Sequence, residues 1–164
     1  MPKTYSTAEI VENLAGRLLP TYHAELATAR IQYIFVDVAG KKNGRPVLGK
    51  VRKVSGALEY LLEIDFLLEV AADKWNDLNS EQREALIDHL LERCTGEEDE
   101  KTGAMKWTIR EPDVQEFATI LRRHGAWNDE LVNLIQVAQD LELDEGVQEV
   151  VAAGTQQTTA QAQV

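Results

Sequence analysis

RIQYIFVDVAGKKNGRPVLGKVRKV, residues 30–54, decides how the chain is read. Its first nine residues, RIQYIFVDV, are mostly β-branched or aromatic and predict a strand, because such side chains pack well on a pleated surface. GKKNGRP, 40–46, is turn chemistry with Asn43-Gly44 at the tip, since both residues tolerate the positive φ that a two-residue hairpin turn requires. VLGKVRKV, 47–54, alternates and predicts the returning strand. The expectation is one hairpin with a basic loop. Just downstream, ALEYLLEIDFLLEVAAD, 57–73, has a Leu/Glu content that suits a helix, but Ile64–Ala71 is preferred as a third strand.

Upstream, residues 6–19 predict a helix, with Ser6 and Glu9 as a capping box and Ile10, Leu14 and Leu18 as its apolar stripe. Pro20 ends or kinks it, and 22–29 continue as a short helical piece. Residues 80–94 predict a helix capped by Asn79 or Ser80, with Ala85, Leu86, His89, Leu90 and Cys94 facing inward. TGEEDEKTG, 95–103, reads as a charged loop and MKWTIR, 105–110, as a short strand. Asp113 with Glu116 caps a helix running through Phe117, Ile120 and Leu121 to His124, ended by Gly125. A last helix starts at Asn128 or Asp129 and turns Leu131, Leu134, Ile135 and Ala138 inward. Trp75, Trp107 and Trp127 are assigned to the core. The expected fold is α+β, a small antiparallel sheet with a basic hairpin packed against several helices. It forms a single domain over 1–151, followed by a disordered tail, 152–164, of small polar residues.

The 164 residues are enough for one hydrophobic core. A lone cysteine, Cys94, forbids an internal disulfide and fits a reducing cytoplasm. The N-terminal residues have no apolar run of the signal-peptide kind, and no window approaches the roughly 18 apolar residues of a membrane helix. Charge says more. There are 17 Lys and Arg against 28 Asp and Glu, a formal net of −11, which disfavours direct contact with nucleic acid or anionic membranes and suits a basic partner surface. The distribution is uneven. Residues 41–53 hold six bases and no acid, 59–100 hold 14 acids and three bases, and 129–149 hold seven acids and no base. The basic run is expected to pair with the chain's own acids or sit in solvent.

From Ala29 to about Leu134 the chain resembles the metallopeptidases encoded by bacteriophages. The resemblance is carried by the strand–basic hairpin–strand block, by DFLLEVAADKWNDL (65–78), by ALIDHLLER (85–93) where the family pattern is ALxDHELxH, and by PDVQEFATILRRHGAW (112–127). It implies a zincin-like fold built on an H-E-x-x-H helix. Two histidines four apart on one face hold Zn²⁺, and the Glu activates its water. Here His89 stands at the first position, Leu90 at the general base and Arg93 at the second ligand. Pro112 stands where the family has a further His. Leucine accepts no proton and guanidinium ligates no cation. These four positions therefore read as vestiges of a metal site, and neither metal nor other cofactor is expected. The alternative is a metal-dependent peptidase with other ligands, such as His89, Glu92, Cys94 and His124. On one helix His89 and Cys94 would stand about 140° apart, poor for sharing a metal.

A degenerate metallopeptidase-like chain of this acidity is similar to the phage inhibitors of bacterial DNA gyrase. That resemblance implies a non-enzymatic protein of the host cytoplasm that mimics DNA on the gyrase surface. It would bind no nucleic acid or membrane itself, and a homo-oligomer is compatible with it. Glu81, Glu84, Asp88 and Glu92 recur at three and four, one per turn and about 5–6 Å apart. One such stripe is several-fold sparser than a duplex, with its charge every roughly 1.7 Å. A mimic must add Asp73 and Asp77, then Glu97, Glu98, Asp99 and Glu100, then Asp140, Glu142, Asp144 and Glu145.

Overall fold

A computed structural model describes residues 2–142. Contacts divide the chain into two units, Met1–Glu111 and Pro112–Val164. The expected tail, 152–164, lies outside the described residues, as do Asp144 and Glu145.

The first unit runs β1 (Tyr5–Thr7), α1 (Glu9–Tyr22), a 3-10 turn (Ala24–Leu26), β2 (Ile31–Val36), β3 (Lys41–Lys42), β4 (Arg45–Pro46), β5 (Gly49–Lys53), α2 (Ala57–Leu62), β6 (Phe66–Ala71), α3 (Ala72–Asp77), α4 (Ser80–Glu92), β7 (Cys94–Glu98) and β8 (Met105–Ile109). The second holds α5 (Ala118–His124) and α6 (Asp129–Glu142). The fold is α+β. No helix among the described residues is long and apolar enough to cross a membrane.

The predicted turn forms. Asn43 (φ 53°) and Gly44 (φ 77°) both sit in the left-handed region and join the two-residue strands β3 and β4. The larger hairpin does not. The main sheet has the order β1-β2-β6-β5. β6 lies between the two predicted hairpin partners, parallel to β2 and antiparallel to β5. The sheet is therefore mixed. β6 wins the central place because its residues suit burial, with Phe66, Leu68 and Val70 fully buried. The strand preferred for 64–71 is this one, and the helical half of that segment is α2.

Two helices cover one sheet face. Val11, Leu14, Ala15 and Leu18 of α1 and Ile87, Leu90 and Leu91 of α4 pack with Tyr33, Phe66, Leu68 and Val70 in one core. Trp75 meets Phe35 edge-on at 5.9 Å, and Trp107 meets Phe66 at 5.8 Å. The 95–103 segment is not all loop. β7 pairs with β8 and sets Gly96 opposite Trp107, so close that a side chain at 96 would collide with the indole.

Several local expectations fail for local reasons. Ser6 pairs with Phe35 inside β1, so α1 is preceded by Ala8 with no side-chain cap, and Ile10 is exposed. Pro20 sits in the last turn, and the helix continues to Tyr22. α4 does carry a capping box, from Asn79 and Gln82. The expected Asp113/Glu116 capping box does not start a helix, and Glu116 accepts from the Phe117 N–H at 2.7 Å. α5 begins after Phe117, and Glu116 also accepts from Trp127 Nε1 at 2.9 Å. Asn128 Oδ1 accepts from Leu131 N and caps α6. Of the residues expected inside α6 only Leu131 is buried, and Leu134, Ile135, Ala138 and Trp127 are exposed.

Candidate functional site

α4 is the helix on which the sequence places its candidate chemistry. Its register follows from its cap and its apolar residues. With Asn79 fixing the start, Ile87, Leu90 and Leu91 turn into the core. Ala85 and His89, both expected inward, are exposed instead. Leu90, at the general-base position, is 2 % exposed and packs against Gly49 of β5. Arg93, at the second-ligand position, is occupied elsewhere. Its Nη2 donates to Glu111 at 3.0 Å and its Nε to the Arg110 carbonyl at 3.3 Å. Pro112 belongs to the second unit.

These residues do not fit a catalytic zinc. One imidazole lies on the solvent face, the base is an alkyl group in the core, and the second ligand is a cation. The alternative set fits no better. Cys94 leaves α4, starts β7 and is buried, its Sγ donating to the Leu90 carbonyl. Burial pushes its thiol up to about 12, so the thiolate a metal would need is strongly disfavoured. His124 is in the second unit. Among the described residues no three His, Cys, Asp or Glu side chains are placed to hold a metal ion.

A different cluster has formed on α4. His23, following α1, is 1 % exposed. Its Nε2 lies 2.6 Å from Asp88 Oδ1. A carboxylate only accepts, so Nε2 is the donor. Nδ1, on the other side of the ring, stands 3.7 Å from Glu92 and 4.0 Å from Glu25. The two α4 carboxylates thus flank the imidazole rather than converge on one point. Glu92 also accepts from Arg110.

The predicted DNA-mimic carboxylates divide accordingly. Asp73 caps the Ala39 N–H at 2.9 Å, and Asp77 pairs with Lys74 at 3.5 Å. Asp88 and Glu92 are held by His23 and Arg110. Asp99 pairs with Lys106 at 2.8 Å, and that bond, with the Lys101 and Thr102 N–H groups, holds its carboxyl below the usual range. Asp140 bonds Gln136, and Asp140 and Glu142 belong to the second unit. Glu81, Glu84, Glu97, Glu98 and Glu100 remain exposed, with no ion pair or hydrogen bond among the described residues. The structure therefore brings the twelve described carboxylates into several local groups, and most of those outside these five serve the chain's own fold.

Sequence reasoning missed three buried polar residues. His23 is one. Asp65 is another, 3 % exposed. Burial would raise its carboxyl, but bonds from the Arg30 guanidinium and backbone N–H outweigh burial and hold it below the usual range. Glu69, also 3 % exposed, receives Arg52 Nε at 2.7 Å. A lone acid inside the apolar strand FLLEVA was the available signal. Lys50 and Arg52 pair with it, as expected of the basic run.

A family model described as "Putative phage metallopeptidase" matches residues 3–139. The chain belongs to the phage metallopeptidase family. That match spans both units and covers His89, Leu90, Arg93 and Pro112. No curated protein and no solved structure matches.

Proposed function

We propose that this family member has given up its reaction and works in the host cytoplasm as a binding protein. Its exposed carboxylates would meet a basic protein surface that otherwise receives DNA. The observation that supports this is the use made of α4. The base position is core, the second-ligand position is ion-paired, and Glu81 and Glu84 of the same helix stand in solvent with no ion pair or hydrogen bond among the described residues. Replacing Glu by Leu and His by Arg leaves a fold intact because packing and catalysis draw on different residues. Carboxylates on an acidic chain speed association with a basic patch and make binding salt-sensitive.

Bacterial DNA gyrase is the first target to test, on the strength of the resemblance in acidity and motif loss. The measurement is inhibition of supercoiling by the full chain at low and high salt, with Glu81→Lys/Glu84→Lys and Glu97→Lys/Glu98→Lys as variants. Asp88 and Glu92 are unsuitable for charge reversal because His23 and Arg110 depend on them. Inhibition weakened by salt and by either pair supports the proposal. Variants as potent as the wild type would overturn the role of these carboxylates, and no inhibition at all would overturn gyrase as the target. Family membership itself favours the second reading, a metal-dependent peptidase. Stoichiometric zinc in the purified protein, with peptide cleavage lost on chelation, would establish it in place of the first.

A further inference from the structure

The sheet face away from α1 and α4 carries a cleft that neither reading uses. It has a volume of about 230 Å³ and is lined by Lys3, Lys41, Lys50 and Glu69, with Val36 and Ala71 at the ends of the parallel strands β2 and β6. Strand alternation builds it. Phe66, Leu68 and Val70 point to the core, so Glu69 points to the other face, beside its cross-strand neighbour Lys50. Lys3 Nζ lies beside Gly40, 3.7 Å from its Cβ position, an ordinary contact distance.

Glu69 is the unusual member. Oε2 is satisfied by Arg52 Nε. Oε1 is buried and has no hydrogen-bond partner. Lys50 Nζ stands 3.6 Å from it, close enough for an ion pair and too far for a hydrogen bond. A buried acceptor without a donor is costly, and this one lines a cleft whose other charges are three ammonium groups. On a chain of net charge −11 the cleft is locally positive. Three lysines repel a metal cation and attract an oxyanion, while Glu69 Oε1 requires that the ligand bring a proton of its own.

We propose that the cleft binds a protonated phosphate, either inorganic phosphate or the monoanion of a phosphate monoester, whose second pKa is about 6. The P–OH donates to Glu69 Oε1, and the remaining oxygens accept from Lys3, Lys41 and Lys50. Sulfate has the same shape and no proton near neutral pH, so it sets a bare oxygen against the carboxylate. A phosphodiester has no proton to give and is excluded with it.

The test is calorimetric titration of the full chain at about pH 5.5, where the nucleotide still carries a P–OH, with inorganic phosphate, adenosine 5′-monophosphate and sulfate at matched ionic strength. Phosphate should bind at least about tenfold more tightly than sulfate, the scale of one charge-assisted hydrogen bond. Glu69→Gln, whose amide can donate, should erase that preference. Lys41→Ala, at an exposed position, should weaken phosphate several-fold without touching the fold, and it carries the test if the Glu69 variant misfolds. Binding of the nucleotide as tightly as phosphate assigns a monoester, and binding of phosphate alone assigns the free ion. Equal affinity for phosphate and sulfate in the wild type, or no binding up to about 10 mM, overturns the proposal.

Discussion

Leu90→Glu puts a carboxyl at the position that an H-E-x-x-H pattern gives to its base, and the structure says what that costs. The wild-type side chain is 2 % exposed in the core shared by α1, α4 and the sheet. Removing it forfeits about 1.5–3 kcal/mol of burial. The new carboxyl meets alkyl groups and stays neutral in the fold. At pH 7, holding a group of ordinary pKa near 4.3 in its neutral form costs about 1.36 kcal/mol per unit over about 2.7 units, or about 3.7 kcal/mol. The sum is about 5–7 kcal/mol, a large share of the roughly 5–15 kcal/mol that hold a natural domain together. The sign with pH is fixed. A carboxyl raised in the fold is penalised above its unfolded pKa, and the penalty fades as pH falls towards that value. Relative to wild type at the same pH, about 2.7 kcal/mol should return between pH 7 and pH 5. Urea melts followed by tryptophan fluorescence measure this, because Trp75 and Trp107 are buried. A loss below about 1 kcal/mol at pH 7 would refute the placement of position 90 in the core. Adding Arg93→His should not create a stoichiometric zinc site, because His89 faces solvent.

Three further outcomes follow from buried polar groups. His23→Ala removes a buried ring and its bond to Asp88, and should cost about 2–4 kcal/mol in urea melts, whereas Glu81→Ala should stay within about 0.5. Cys94, its thiol pushed up to about 12 and its side chain 1 % exposed, should react with a chromogenic disulfide at a negligible rate in the native protein and stoichiometrically in denaturant. A native rate near that of a free thiol would contradict its burial. Asp65 is held below its usual carboxyl value, so its contribution is complete above pH 3.8, the ordinary value, and is lost as pH falls further. Asp65→Asn should therefore narrow its stability gap to wild type in acid, which melts across that range would show.

Local chemistry was legible and partnership was not. The Asn43-Gly44 turn, the Asn79 cap and the Gly125 end of α5 depend on a few adjacent residues with special conformational or bonding capacity, and all three formed. The strand at 64–71 was legible from its apolar run. Which strand it joins was not, because pairing depends on burial across the whole sheet and β2 and β5 look equally good as neighbours in sequence. The candidate site shows the same division. The motif positions could be named from residue types, but not that His89 would face water while Leu90 faced the core, since the phase of α4 is set by Ile87 and Leu91 together. Asp88 and Glu92 looked like members of an outer stripe. Their commitment to His23, 65 residues away from Asp88, is invisible to any local pattern. Glu69 was hidden for a related reason, as its cations come from a strand that pairs with it only in the finished sheet.

The placement of β6 between β2 and β5 also governs the order in which this chain can assemble. Synthesis delivers β2 and β5 before their shared neighbour, and of the strand pairs only β1–β2 and β3–β4 can close in the interval. Until Phe66–Ala71 emerges, β2 has only β1 to pair with and β5 has no partner in the sheet, so their backbone edges stand open to other chains. The last strand added to the sheet is also its most buried. Folding of the first unit should therefore be slow for its length, as non-local pairing requires, and the half-made protein should be at its most aggregation-prone just before β6 arrives.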